Sequence, residues 1–357
     1  MKKHLLAALV GAACASSAFA QSNVTIYGVI DAGFTYVSDQ NGKSQIRPKD
    51  GANYGNRLGF KGSEDLGGGM KAIFTMEHGF NLKDGTGAKY HPFWGRQVFV
   101  GLETPVGTVT LGRQYDFIYE YLTMLNVGGF ASVYAGHHAD FDRISGGRVN
   151  NAVKFKSSNY NGLSFGAMYA PSEQSGGHTL SLGAGYYSPG FSWGASYQKM
   201  KHSAINPEFQ AGVSTFLGQT LTWDGTPVAV DDYEIKGVGA SYQLGMWSLV
   251  GNMTQTDFQR GAFKERQRVY EVGTIYPLAQ NTLAIAAYQH STLQNKDWNQ
   301  LTLGVKHNLS KLTWLYASVS HMQASKGVKA NQGAGYYLDN SSDHRQTTAR
   351  VAMIKTF

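Results

Sequence analysis

Residues 57–61 have the sequence Arg-Leu-Gly-Phe-Lys, and residues 70–77 have the sequence Met-Lys-Ala-Ile-Phe-Thr-Met-Glu. Both segments alternate between apolar and polar side chains, and the link 63–69 is Ser-Glu-Asp-Leu-Gly-Gly-Gly. Alternation with a period of two on both sides of a polar, glycine-rich link is typical of a β-hairpin. One face of this hairpin is apolar. The opposite face carries Arg57, Lys61, Lys71, Thr75 and Glu77.

The hairpin pattern recurs along the whole chain. Six further short turns lie at 103–107, 157–162, 188–190, 244–246, 277–281 and 308–311. Longer polar connections lie between the hairpins, at 38–55, 82–92, 115–147, 171–177, 201–231, 258–265, 291–297 and 322–344. An even number of strands, with short turns on one side and long loops on the other, is the arrangement of transmembrane barrels. We therefore predict an all-β, 16-stranded antiparallel transmembrane barrel. A soluble β-sandwich is the alternative, since its strands also alternate.

Composition supports this fold class. The chain has 44 Gly, 21 Tyr and 18 Phe but only 8 Pro, and no segment after residue 20 approaches the 18 consecutive apolar residues of a membrane-spanning helix. In the last segment, Val351, Met353 and Phe357 share one phase, as expected for a closing strand with an apolar outer face.

The N-terminal segment 1–20 is predicted to be a signal peptide. Lys2 and Lys3 precede a short apolar run, and Ala18-Phe19-Ala20 fits a cleavage site. Lipid attachment at Cys14, the single cysteine, is the less favoured alternative. The barrel domain is then 21–357. Without residues 1–20 the chain has 29 basic and 24 acidic residues and no run of Lys or Arg, which argues against nucleic-acid binding.

Four segments, 24–33, 57–69, 111–116 and 146–151, resemble the Gram-negative general diffusion porins, most closely the β-proteobacterial branch of Bordetella, Burkholderia and Neisseria. The resemblance implies an outer-membrane homotrimer in contact with lipid and lipopolysaccharide, which passes small anions and hydrophilic solutes. It also implies that the third extracellular loop folds into the barrel and narrows it to an eyelet. The connection 115–147 is compatible with this role, because it holds seven aromatic residues and five glycines. Rings can pack against the barrel wall, and glycines suit bends.

Strand phase selects candidate pore-lining residues. Arg57 and Lys61 lie opposite Leu58 and Phe60. A second set, Arg148, Lys154 and Lys156, lies opposite Val149, Val153 and Phe155.

Phase does not place Arg96, which shares its parity with Val98, Val100 and Leu102. The resemblance implies that Arg57, Arg96 and Arg148 are the arginines of the eyelet wall. Arg113 also matches a motif of the family, but its phase fits a structural role at the loop base or at the trimer interface equally well.

The centre of the third loop, 124–130, contains no acidic residue, whereas the enteric porins carry carboxylates there. Acidic residues flank this segment at Asp116, Glu120, Asp140 and Asp142. A basic wall facing an uncharged loop favours anions. We therefore expect a pore with weak to moderate anion preference.

Three alternatives stay open. His137-His138 and the nearby aspartates could bind a divalent metal, although a loop role is favoured and no metal or cofactor is predicted. A substrate-specific channel fits the same pattern. A barrel enzyme is disfavoured, because His290, His307 and His321 are scattered and no serine elbow motif occurs. No catalytic residue is predicted.

Overall fold

A computed structural model describes residues 23–87, 92–171, 177–222, 226–335 and 341–357. Sixteen antiparallel strands, β1 to β16, close into a barrel, as the sequence predicts. Their bounds are β1 Asn23–Gln40, β2 Arg57–Gly67, β3 Met70–Gly79, β4 Gln97–Thr104, β5 Gly107–Tyr115, β6 Arg148–Ser157, β7 Leu163–Pro171, β8 His178–Tyr187, β9 Phe191–Ile205, β10 Val228–Leu244, β11 Trp247–Arg260, β12 Phe263–Ala279, β13 Thr282–Leu293, β14 Lys296–Ser310, β15 Thr313–Ala324 and β16 Arg345–Thr356.

Strand β1 closes the barrel. Residues 23–29 of β1 pair with β2, and residues 29–37 pair with β16. The Gly28 N–H donates to the Phe357 carbonyl at 3.0 Å. A further strand, Lys43–Asp50, pairs with the upper part of β1. No ladder edge is therefore exposed along these strands, as a membrane interior requires.

The predicted short turns are confirmed, but two predicted long connections are wrong. Strands β11 and β12 are joined only by residues 261–262, and β13 and β14 only by residues 294–295. The polar segments 258–265 and 291–297 are mostly strand, because these hairpins continue with polar side chains beyond the apolar band. Period-two pairing depends on backbone hydrogen bonds and does not require apolar residues.

The two faces of the strands differ as predicted. On β16, the side chain of Val351 is 64% exposed, whereas Ile354 is fully buried. Exposed apolar side chains follow the same phase on other strands, among them Ile26, Val100, Leu182, Val238, Val272 and Leu303. This outer apolar face is the one that meets lipid in a transmembrane barrel.

The connection 116–147, here called the inner loop, folds inside the barrel, as predicted. It contains helices α1 (Phe117–Leu122) and α2 (Val127–Ala131) and single 3₁₀ turns at 123–125, 133–135 and 138–140. The Asp116 side chain caps α1 by accepting a hydrogen bond from the Tyr119 N–H. Buried residues of the loop, such as Leu122 and Phe141, form one apolar core with inward side chains of the wall.

The wall makes room for α1 by using glycine. A Cβ atom built on Gly194 of β9 would lie 2.1 Å from the Tyr121 carbonyl oxygen. The loop backbone can therefore approach the strand closely only because residue 194 has no side chain.

The long connection between β9 and β10 contains helix α3 (Pro207–Ala211) and a short two-stranded pair, Thr215–Phe216 with Gln219–Thr220. Among the described residues, no helix has both the length and the apolarity needed to cross a bilayer. The predicted signal peptide, residues 1–20, lies outside the described residues.

Candidate functional site

Three arginines from distant parts of the sequence meet on the inner wall. The Arg96 Nε lies 2.6 Å from the Glu77 Oε1, and the Arg57 Nη1 lies 3.9 Å from the Glu77 Oε2. The Tyr115 hydroxyl accepts hydrogen bonds from Arg96 at 3.0 Å and from Arg148 at 2.5 Å. Glu77 and Tyr115 therefore join Arg57, Arg96 and Arg148 into one group, here called the arginine cluster.

The β2–β3 register explains how Arg57 and Glu77 come together. Gly59 pairs with Glu77, and Arg57 lies two residues away on the same face. Because Gly59 has no side chain, Tyr27 from β1 lies over it and donates its hydroxyl to Glu77 at 3.1 Å. The tyrosine hydroxyl and the two guanidinium groups thus surround a carboxylate that is only 2% exposed.

Arg96 reaches the cluster because it lies outside regular strand. β4 begins at Gln97, and the Arg96 N–H donates to the Glu77 carbonyl at 3.2 Å. Its neighbours in parity, Val100 and Leu102, are exposed on the outer face. The turn of the backbone before β4 brings the guanidinium inside, which strand parity does not predict.

Arg148 is held at the base of the inner loop. Its guanidinium lies 4.5 Å from the centre of the Tyr115 ring, and that ring stacks on Tyr119 of α1 at 4.0 Å. Burial raises the pKa of Tyr119 to about 12, so this tyrosine is neutral at physiological pH. The stack connects the cluster directly to α1.

Lys154 and Lys156 lie on the same inner face and both bind Glu120 of α1. Lys154 is buried, contacts Glu120 and donates to the Tyr115 carbonyl at 2.9 Å. Lys156 is more exposed, and its Nζ lies 2.8 Å from the Glu120 Oε2. Burial acts to raise the pKa of Glu120, but the two ammonium groups outweigh it and lower that pKa. These ion pairs attach α1 to β6.

The other acidic residues of the inner loop also have partners. Asp116 is buried, and its Oδ2 accepts from the Arg143 Nε at 2.9 Å. Asp142 is buried, contacts His137 and accepts from the Thr254 hydroxyl at 2.5 Å. Asp140 is partly exposed and accepts from the Ser145 N–H at 3.1 Å. None of these carboxylate contacts is with an arginine side chain of the cluster, although Arg143 also donates to the Arg148 carbonyl at 3.3 Å.

The two adjacent histidines have different environments. The His137 Nε2 lies 3.6 Å from the Glu271 Oε2 of β12, and Glu271 in turn accepts from the Val127 N–H at 2.5 Å. Burial acts to lower the pKa of His137, but Asp142 and Glu271 outweigh it and raise the pKa to about 9. His138 stacks on Trp298, and burial lowers its pKa to about 3.

The histidine pair therefore fastens the loop to the wall, with one charged imidazole and one neutral imidazole. Within the described ranges, no group of three or more His, Cys, Asp or Glu side chains has a geometry that could hold a metal ion.

The structure places three other wall residues apart from the cluster. Lys61 lies over the Tyr27 ring at 5.5 Å. Arg113 donates to the Gly95 carbonyl at 2.7 Å and to Asn150 at 2.5 Å, so it has the structural role that its phase allows. Strand phase predicts Val149 on the lipid face, but it packs with Phe117 under the inner loop, because the β5–β6 ladder has a bulge opposite Arg113.

Sequence analysis missed the roles of Glu77 and Tyr115. The alternation predicts Glu77 on the inner face of its hairpin, but its pairing with two arginines depends on contacts across 19 and 20 residues of sequence. A second buried group, Arg350 with Asp31 and Tyr316, was also missed. The Arg350 Nη2 lies 3.0 Å from the Asp31 Oδ1, and Arg350 also donates to the Tyr316 hydroxyl. Both charged side chains are completely buried on the inner side of β15, β16 and β1, where the barrel closes. The sequence signal for this group is that Arg350, a charged residue, falls on the inward-facing phase of the last strand.

Comparison with known proteins agrees with the barrel fold. A sequence profile for the family described as Gram-negative porin matches residues 6–327. Outer membrane porin protein 32 of Delftia acidovorans is 33% identical and covers 100% of both chains. Major outer membrane protein P.IB of Neisseria gonorrhoeae is 26% identical over 92% of this chain and 95% of that protein.

The solved structure of an anion-selective porin from Comamonas acidovorans superposes with a TM-score of 0.76 at 26% identity, covering 94% of this chain and 100% of that one. An OmpF structure from Salmonella typhi gives a TM-score of 0.64 at 17% identity and supports the fold alone. This chain therefore belongs to the Gram-negative porin family and is an outer-membrane general diffusion porin, a water-filled barrel for ions and small hydrophilic solutes.

Proposed function

We propose that this porin prefers anions and that the arginine cluster is the selective part of its eyelet. In this proposal Arg57, Arg96 and Arg148 attract the permeating anion, the inner loop is the constriction loop, and Lys61 and Lys156 extend the basic wall. Lys154 contributes charge from a buried position and holds the loop.

The observation that carries the proposal is the imbalance of charge at the cluster. The cluster holds three guanidinium groups and one carboxylate: Arg57 and Arg96 face Glu77, whereas Arg148 binds the Tyr115 hydroxyl. The acidic residues of the inner loop have partners of their own: Asp116 with Arg143, Glu120 with two lysines and Asp142 with His137. They therefore do little to offset the positive potential of the arginines.

The mechanism is electrostatic and needs no chemical step. Guanidinium groups keep their charge at any physiological pH, and a narrow aqueous passage between low-dielectric walls strengthens the local field. An anion that enters can exchange part of its hydration for arginine donors, and conduction requires that this binding is weak enough for the anion to leave again. The Comamonas acidovorans neighbour is described as anion-selective, which supports the same preference here.

Planar-bilayer recording in a salt gradient tests the proposal. We expect a reversal potential with the sign of anion preference, and a cation-selective sign would refute it. We also propose that the porin is a homotrimer in contact with outer-membrane lipid and lipopolysaccharide. Three equal conductance steps per insertion event would support the trimer. N-terminal sequencing of the exported protein should begin at Gln21 if residues 1–20 are a signal peptide.

Two further functions would give different results in transport assays. A substrate-specific channel would show saturable uptake of one solute class, whereas a general pore passes small sugars at rates that follow their size. Liposome swelling separates the two. The same assay, with analysis of the sugars afterwards, tests a barrel enzyme: we propose that the protein has no enzymatic activity, so the sugars should be recovered intact.

A further inference from the structure

A group of charged residues lies on the outer face of the barrel, above its apolar band, on four adjacent strands. It consists of Lys199 and Lys201 on β9, Lys236 on β10, Lys264, Arg266 and Arg268 on β12, and the acidic residues Asp232, Glu234 and Asp257. We call it the outer cationic patch. It is at the end of the barrel that carries the inner loop's connection, away from the short turns.

The ladder register shows that these side chains form rows. Lys236 pairs with Tyr197 and with Gln255, and Gln255 pairs with Arg268. One step toward the bilayer, the row is Ala195, Val238, Met253 and Tyr270. Val238 is 52% exposed and Met253 is 39% exposed, so these residues are on the lipid face. The row with Lys236 and Arg268 is thus the first row above the apolar band, at the level where lipid headgroups lie.

The patch has more positive than negative charge, even after its internal ion pairs. The Asp232 Oδ1 is shared by Lys199 at 3.2 Å and Lys201 at 2.5 Å. Lys236 pairs with Glu234 at 2.8 Å, and Arg266 pairs with Asp257. Arg268 donates its Nε to the uncharged Gln255 side chain at 3.1 Å. Six cations against three carboxylates leave an excess of three positive charges on one face.

A groove of about 580 Å³ runs down the outer wall directly below the patch. Its outward-facing lining includes Leu182, Ala184, Ala195, Val238 and Met253, and Lys236 and Gln255 are at its upper rim. The small side chains of Ala184 and Ala195 leave the centre of the groove recessed between the larger side chains of Leu182, Val238 and Met253. An apolar groove that ends at cations matches an acyl chain that ends at a phosphate.

The cationic row does not continue onto the next two strands. In the row that continues from Arg268, β13 and β14 present Thr292 and Asp297. One row lower they present His290 and Asn299. The excess of cations therefore does not follow from height above the bilayer alone.

We propose that the outer cationic patch and the groove below it form a binding site for a phosphorylated glycolipid of the outer leaflet. The phosphates bind Lys199, Lys236 and Arg268, and one acyl chain lies in the groove. Clusters of Lys and Arg next to a membrane are the usual means of binding anionic headgroups. The inference rests on the outer-membrane lipid contact proposed above and adds its location and chemistry.

The test uses the purified full-length porin in detergent with a chelator of divalent cations, and native mass spectrometry as the binding measurement. The probes are bisphosphorylated lipid A and the same lipid with both phosphates removed. We expect the phosphorylated lipid to bind roughly 10- to 100-fold more tightly. We expect a triple variant, Lys199→Gln with Lys236→Gln and Arg268→Gln, to lose that difference.

The matched control removes three cations at the opposite end of the barrel, with Lys71→Gln, Lys311→Gln and Lys355→Gln, and should bind like the wild type. Equal binding of both lipids, an unchanged triple variant, or an equally weakened control would each overturn the site. Displacement of the lipid by millimolar inorganic phosphate would assign the patch to free phosphate instead. If the triple variant does not fold, Lys236→Gln alone, at the rim of the groove, should weaken binding at least roughly threefold.

Single-channel recording separates this inference from the proposed function. The triple variant should keep the wild-type conductance and anion preference, because its substitutions are on the outer face. Loss of lipid binding with normal channels supports the site. A wild-type protein without anion preference would refute the proposed eyelet. It would not affect the lipid site, which the binding measurements test separately.

Discussion

Glu77 and Arg96 form a 2.6 Å ion pair on the inner wall, and Arg57 approaches the second oxygen of the same carboxylate. A single buried acid therefore contacts two arginines of the cluster and offsets part of their charge. Without it, Arg57 and Arg96 would repel each other across the same few ångströms. Substitution of Glu77 is therefore the most direct test of how the cluster affects ion selectivity.

Replacing Glu77 with Gln should increase the anion preference. The variant removes one negative charge beside Arg57 and Arg96 while retaining a side chain of similar size. A unit charge at this range changes the relative permeability of anions and cations roughly two- to fivefold. The reversal potential in a tenfold KCl gradient measures it. Glu103→Gln, which breaks an exposed ion pair with Lys71, is the control and should change the potential less. An unchanged or reduced anion preference in Glu77→Gln would contradict the prediction.

Arg148→Ala should have the opposite effect. It removes a cation that is bound to the Tyr115 hydroxyl and stacked on its ring. We expect the anion preference to fall roughly two- to fivefold and the conductance to change little. Arg345→Ala removes an exposed cation from β16 and provides the comparison. If both variants shift the reversal potential equally, the cluster has no special part in selectivity.

Gly194→Ala should disturb the inner loop. The new Cβ would lie 2.1 Å from the Tyr121 carbonyl oxygen, so α1 has to move toward the lumen. Overpacking of this kind costs about 1–3 kcal/mol, and the displaced loop should lower the single-channel conductance. Thermal unfolding and bilayer recording measure the two effects. Gly190→Ala, at a turn where an added Cβ meets no atom within 4 Å, should be close to wild type in both. A Gly194→Ala porin with normal conductance and stability would show that the close approach is unimportant.

The attachment of the inner loop should weaken at high pH through His137. Its pKa is about 9 in the folded protein, against about 6.5 for an unperturbed histidine. Its contribution is therefore complete below pH 6.5 and is lost as the pH rises through 9, which is worth about 3 kcal/mol in all.

The measurement is the melting temperature of the detergent-solubilised porin between pH 6 and pH 10. The wild type should lose more stability over this range than His137→Gln, which has no imidazole to deprotonate. Asp142 does not interfere, because its pKa is lowered and its own effect falls at acidic pH. Parallel curves for the two proteins would mean that His137 is not charged in the folded state.

The sequence alone determined the architecture of this protein. Alternation with a period of two fixes which face of each strand is apolar, and the number of interruptions in that alternation, short or long, fixes the strand number. Both are local properties of the chain, so the alternation by itself assigns Arg57 and Glu77 to the inner face. The connections 258–265 and 291–297 were misjudged for the same reason: polar residues at a strand end do not reveal that the ladder continues.

The tertiary structure alone decided how the inner face is used. Strand parity did not predict that Arg96 faces the lumen, because the backbone at Arg96 is not in regular strand conformation and β4 begins only at Gln97. Parity also did not show that Glu120 forms an ion pair with Lys154, or that Asp142 forms one with His137. Neither carboxylate therefore faces the arginine cluster. Such pairings join segments far apart in sequence, and they depend on how closely the inner loop packs against the wall. That packing requires a glycine at position 194 and partners for the buried loop carboxylates, such as Arg143 for Asp116 and His137 for Asp142, because an unpaired charge inside the barrel wall would be costly.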